Sequence, residues 1–134
     1  MQNAYGSAAT RMWLDAETLY ASGRLGTADH LYGLSAECAL KAILYANGSI
    51  PAPPTKGEKR LARHIDELWS EYGSALQGHF ANYVLDISNP FASWKPHDRY
   101  LHDQAFAPHR VAGHQSGARA TFALLEAALM DGRL

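Results

Sequence analysis

The chain predicts an all-α fold, an antiparallel up-and-down bundle of four to five helices. Three observations predict it. Apolar residues recur at three- and four-residue spacing in four long stretches of the 134 residues. The first two stretches are joined by only a few residues around Ser22, Gly23 and Arg24, a turn so short that its flanking helices must be antiparallel neighbours. The second stretch, ADHLYGLSAECALKAIL from Ala28 to Leu44, is apolar on two sides, which places it inside a bundle rather than on its surface.

Helix one is read from about Ala4 to Ala21, with Met12, Trp13, Ala16, Leu19 and Tyr20 inward and Arg11 and Asp15 outward at i, i+4. Gly23 suits the left-handed position after a helix end, and Thr27 is the expected N-cap of helix two. On helix two, Leu31, Leu34, Cys38, Ala42 and Tyr45 form one apolar face, and Tyr32, Ala36, Ala39, Leu40 and Ile43 another. Between them runs a strip of His30, Glu37 and Lys41. This strip has two readings: a solvated stripe whose ion pair contributes well under about 1 kcal/mol, or the wall of a cleft, where a half-buried pair must be hydrogen-bonded. A helix that wants cover on both sides is central, or is shared between the bundle and a dimer interface.

Residues 48–59 hold three prolines and two lysines without periodicity and read as a surface loop. Helix three restarts near Arg60 to His64 and carries Ile65, Leu68, Trp69, Tyr72, Leu76, Phe80 and Tyr83 at helical spacing. Gly73, Ser74 and Gly78 are expected to kink or split it. Its aromatic stripe is either core or a stacking platform for bases. Helix four, about His114 to Met130, turns Ala118, Phe122, Leu125 and Leu129 to one face. The loop before it, 87–113, together with His114 at the helix start, holds four of the seven histidines (97, 102, 109 and 114) with Asp98, Arg99, Asp103 and Arg110. Phe91, Trp94, Tyr100 and Phe106 are interleaved with them, so the loop is expected to pack down.

Composition fits one domain over residues 1–134: 47% of the residues are hydrophobic, enough for a core of its own. No apolar run approaches the roughly 20 residues that span a bilayer, and the N-terminus lacks a signal-peptide core, so a cytoplasmic protein without membrane contact is expected. Cys38, the single cysteine, excludes an intrachain disulfide and reads as an inert thiol. A formal charge of −1 lacks the basic excess of a general nucleic-acid binder, so any RNA contact must be local.

ADHLYGLSAECALKAIL, preceded by ETLYASGRLGTA and followed further on by NPFASW and DRY, resembles bacterial HEPN-domain proteins. The resemblance covers most of the chain in the expected order. It implies the HEPN type of bundle, a homodimer, and a function within a family that includes ribonucleases, toxins and binding modules. The resemblance implies a metal-independent ribonuclease motif in which four to six residues separate an arginine from a following histidine; histidine serves as general acid or base and arginine stabilises the phosphorane charge. Arg110 and His114 occupy the corresponding place, but only Val111, Ala112 and Gly113 separate them.

Two functions are therefore expected in order. The first is a dimeric binding or accessory module that holds a nucleotide, an RNA or a protein partner through His30, Glu37, Lys41, His64, Arg99, Tyr100 and His102. The resemblance also implies a nucleotidyltransferase partner in a toxin–antitoxin arrangement. The second is a metal-independent endoribonuclease using Arg110 and His114. Competing with both, Trp94, Arg99 and Tyr100 simply anchor the loop on the bundle, with Arg99 reaching Glu37 or a helix C-terminal carbonyl. His64 is expected to cap helix three or to pair with the Glu37 and Lys41 strip. His97, His102, Asp98 and Asp103 offer metal donors, but with no helix face fixing them neither a metal nor a cofactor is expected.

Overall fold

A computed structural model describes residues 4–50 and 63–134. The described residues form four α-helices, α1 (Ala4–Ala21), α2 (Leu25–Asn47), α3 (Ile65–Ala75) and α4 (Pro108–Met130). Short 3-10 turns occupy Gly78–Asn82, Pro96–Tyr100 and Asp103–Ala105, and there is no strand among the described residues. The all-α bundle is as expected. Beyond Ile50, the surface loop read at 48–59 lies outside the described residues.

The α1–α2 turn is built on Gly23, whose φ of +77° only glycine adopts without strain. The N–H groups of Gly23 and Arg24 close back onto Tyr20 O and Leu19 O at 3.0 and 2.9 Å. Because this reversal is complete by Arg24, α2 starts there with no side-chain cap, and Thr27 lies inside its first turn rather than capping it. At the other end Gly48, with φ +87°, lets the N–H groups of Gly48 and Ser49 reach Tyr45 O and Leu44 O.

α2 is the axis of the molecule and packs on α1, α3 and α4. Tyr32, Ala36, Ala39, Leu40 and Ile43 are all fully buried on one side. The second face is covered less completely: Ala42 is buried, whereas Leu31, Leu34 and Cys38 keep partial exposure and Tyr45 is 37% exposed. Alanines at 9, 39 and 42 let α1 and α2 approach closely around Leu125, and the buried Ser35 hydroxyl donates to Ala9 O at 2.8 Å.

Helix three is shorter than its apolar period. The backbone turns extended at Leu76 and Gln77, and the period resumes only through the 3-10 turn at Gly78–Asn82. Trp69, Tyr72 and Tyr83 are nonetheless buried, and the Tyr72 hydroxyl donates to Tyr83 O, so the aromatic stripe is core and not a stacking platform. α4 begins six residues earlier than expected, at Pro108, whose fixed φ suits a first helical turn. The preceding loop packs down through Phe91, Trp94 and Phe106, each at most 5% exposed. Among the described residues no helix is long and apolar enough to cross a membrane.

Candidate binding cleft

Glu37 is the hub of the first cluster. It accepts from Lys41 Nζ at 3.1 Å and from His64 Nδ1 at 2.9 Å, and its side chain and that of Lys41 are only 10% and 13% exposed. The solvated reading of this strip is therefore corrected: the pair is half-buried and hydrogen-bonded, as a cleft wall requires. His64 stands at the N-cap position of α3 but makes no cap; its ring turns to α2 instead. The hydrogen bond to Glu37 raises the His64 pKa above its ordinary value, outweighing desolvation.

His30 leaves the strip. It stacks on Trp94 with ring centroids 6.0 Å apart and 16° between planes, and its buried Nδ1 has no partner. Burial lowers its pKa, with the nearby Arg99 guanidinium acting in the same direction. Trp94 anchors the loop through its Nε1, which donates to Asp29 O at 3.0 Å.

Arg99 does not reach Glu37, which Lys41 and His64 already occupy. Its Nη1 donates to Pro96 O at 2.8 Å within its own turn, and its Nη2 to the Tyr100 hydroxyl at 3.0 Å. The guanidinium lies 4.5 Å from the Tyr100 ring centroid, and Tyr100 is 76% exposed. Of the anchoring trio, then, only Trp94 is seated in the bundle. Among the described residues no carboxylate pairs with Arg99. His102 is exposed and accepts from the Gln104 N–H at 3.3 Å.

Arg99 stands between two depressions. One, of about 600 Å³, runs from the start of α3 to the Pro96 turn and is lined by Arg63, His64, Lys95, His97 and Arg99, with Asp66 and Glu67. The other, of about 140 Å³, lies against the first turns of α2 between His30, Arg99, Leu101, Asp103 and Phe106. In the larger cleft the two acids are already neutralised, Asp66 by Lys95 and Glu67 by Arg63. Among the described residues, that leaves Arg99 on the shared wall without a carboxylate partner. Arg63 and Lys95 escaped the sequence reading because nothing in their local spacing marks them; the cleft forms only when the loop folds onto α3.

Arg110 and His114 are one turn apart on α4 and are held by different partners. Arg110 Nη2 donates to Asp98 Oδ2 at 2.8 Å and to Ser93 O at 3.4 Å. His114, 2% exposed, donates from Nδ1 to Asp29 Oδ1 at 2.5 Å and stacks on Phe91 at 5.2 Å. Asp29 is fully buried and its Oδ2 has no partner. Sequence reasoning missed this carboxylate. Its signal was its register, seven residues before Ala36 on the buried face of α2.

Among the described residues no three His, Cys, Asp or Glu side chains converge as metal ligands. Compared with protein-family models, with curated proteins and with solved structures, the chain shows no match.

Proposed function

We propose that the chain is a HEPN-like binding or accessory module that takes a phosphate-bearing ligand, a nucleotide or a stretch of RNA, in the cleft around Arg99. The observation that carries this reading is the state of Arg99: a guanidinium with no carboxylate partner among the described residues, held by Pro96 O and the Tyr100 hydroxyl on the wall of a cleft. Such a fork suits a phosphate, and the exposed Tyr100 ring beside it suits a base. His64, whose pKa is raised by its hydrogen bond to Glu37, adds positive charge as pH falls. The net charge of −1 confines the attraction to this patch.

In the same reading the protein works in the cytoplasm as a homodimer, supported by the incompletely covered face of α2 at Leu31, Leu34 and Tyr45. The nucleotidyltransferase partner rests on the family resemblance alone. Endoribonuclease action by Arg110 and His114 is the weaker alternative, because within one protomer both side chains are spent on Asp98 and Asp29.

Calorimetric titration with nucleoside 5′-monophosphates tests the proposal. Binding that falls at least about ten-fold in Arg99→Ala, a loss of about 1.4 kcal/mol, and falls less in Arg99→Lys supports the cleft. Millimolar nucleotide without heat or chemical-shift change sinks it. Cleavage of RNA in excess EDTA, lost in both Arg110→Ala and His114→Ala, transfers the function to the alternative.

A further inference from the structure

A depression of about 430 Å³ between α3 and the segment after the Gly78–Asn82 turn shares no lining residue with the Arg99 cleft. Trp69, Ser70 and Gly73 of α3 form one wall, and Val84, Leu85 and Ile87 are prominent in the other. No charged side chain lines it. Trp69 is buried, whereas Val84 and Ile87 are 49% and 48% exposed. A single exposed aliphatic residue is ordinary, but two of them on the wall of one concave apolar surface mark a contact site. A Cβ at Gly73 would meet nothing within 4 Å, so the helix side of the depression stands open.

The segment facing α3 is neither helix nor strand, yet it is tied down at three points. The Tyr72 hydroxyl donates to Tyr83 O at 2.5 Å, Trp69 Nε1 to Ile87 O at 3.3 Å, and Asn89 Nδ2 to Asp66 O at 2.7 Å. Between these ties the main-chain N–H and C=O groups of Val84, Asp86 and Ser88, all three exposed, make no hydrogen bond among the described residues. An occupant that brings main-chain donors and acceptors of its own can use them without first ordering the segment. That occupant is a peptide rather than a small apolar molecule.

Charge narrows the choice further. Asp86, between Leu85 and Ile87 at the edge of the depression, is exposed and makes no ion pair among the described residues. It repels a nucleic acid. A second copy seated on the same patch by two-fold symmetry would set Asp86 towards its own equivalent, with no cation in the lining to offset the pair. A basic side chain on a different partner complements it instead.

We infer that this face docks a peptide segment of a partner protein, one that places an aliphatic or aromatic side chain in the depression and a Lys or Arg beside Asp86. The surface is independent of the phosphate reading above, and each can fail without the other.

The test is selection of phage-displayed random peptides of about seven residues against the full chain, followed by titration with the enriched peptides as free synthetic molecules. The expected consensus is an apolar residue next to Lys or Arg, and the expected nuclear magnetic resonance shifts fall on the Trp69 indole N–H and the amides of residues 84–88. Asp86→Lys, which replaces attraction with repulsion at an exposed position, should weaken the peptide at least about five-fold, and Asp86→Asn should weaken it less. Circular dichroism checks that both variants are folded. No enrichment, shifts confined to other residues, or an Asp86→Lys variant that binds as well as the parent overturns the inference. If the same amides shift with protein concentration alone, the face is a contact between copies and the peptide reading falls.

Discussion

Trp94 lies so close over Gly33 that a Cβ at position 33 would sit 2.0 Å from the indole. The indole has no room to retreat, being fully buried with its Nε1 held by Asp29 O. Gly33→Ala should therefore destabilise the protein by about 3 kcal/mol, at the upper end of overpacking effects. Gly117→Ala meets Pro90 at 2.5 Å and Phe91 at 2.7 Å. Pro90 is partly exposed and able to shift, but Phe91 is fully buried and stacked on His114, so about 2–3 kcal/mol is expected there. Urea denaturation measures both, and an unchanged midpoint for Gly33→Ala would contradict the packing.

The buried Asp29 and His114 pair predicts strong coupling. Removing either partner leaves a buried polar group without its hydrogen bond, so Asp29→Ala and His114→Ala should each cost about 3 kcal/mol or more. The double variant should lose clearly less than the sum. A double-mutant cycle settles it: additive losses would mean that the contact contributes nothing of its own.

His64 and His30 should titrate on opposite sides of the ordinary histidine value. The pKa of His64 is raised, chiefly by its hydrogen bond to Glu37. Its contribution to stability is complete below about pH 6.5, the unfolded value, and is lost as pH rises through the higher folded value. Lys41 and Asp66 face the same ring and act against each other, Lys41 lowering and Asp66 raising its pKa. His30, lowered by burial, has the reverse sign: it destabilises the fold as pH falls from about 6.5 through its depressed value. Because the His64 side chain is 55% exposed, solvent screening keeps its share small. Nuclear magnetic resonance titration of the imidazole Cε1–H signals gives the order directly, and His30 titrating above His64 would overturn both assignments.

Burial pushes the Cys38 thiol up to about 11, with the Glu37 carboxylate adding to the effect. At pH 7.5 almost no thiolate is present, so an aromatic disulfide reagent should react at least about ten-fold more slowly than with free cysteine. Denaturant should remove the difference. Rapid modification of the folded protein would show that the second face of α2 opens in solution.

Much of the fold was legible because it follows from local period and turn chemistry. The bounds of α1, the left-handed Gly23 and the two-sided α2 all belong to that level. Of the two expectations for His64, the pairing with Glu37 is made and the cap on α3 is not. What escaped is non-local. Asp29 meets His114 across 85 residues, and no window of sequence holds both. Helix three was overextended because its apolar period survives through Leu76, Phe80 and Tyr83, although Gly73 and Gly78 let the backbone leave the helix between them. α4 starts before the apolar period that marks it in the sequence, because Pro108 sets its first turn and takes Arg110 into the helix.

Asp29 also ties events together in time. Its carbonyl holds Trp94, 65 residues on, and its carboxylate holds His114, 85 residues on. Contacts this distant in sequence form late in folding, after the local α1–α2 hairpin. One residue thus couples the docking of the loop to the docking of the last helix, so neither detaches alone without breaking a bond to the same side chain or its backbone. The two segments then behave as one cooperative unit, and the amide protons of residues 91–94 should exchange at the pace of those in the middle of α4 rather than at the pace of a loop.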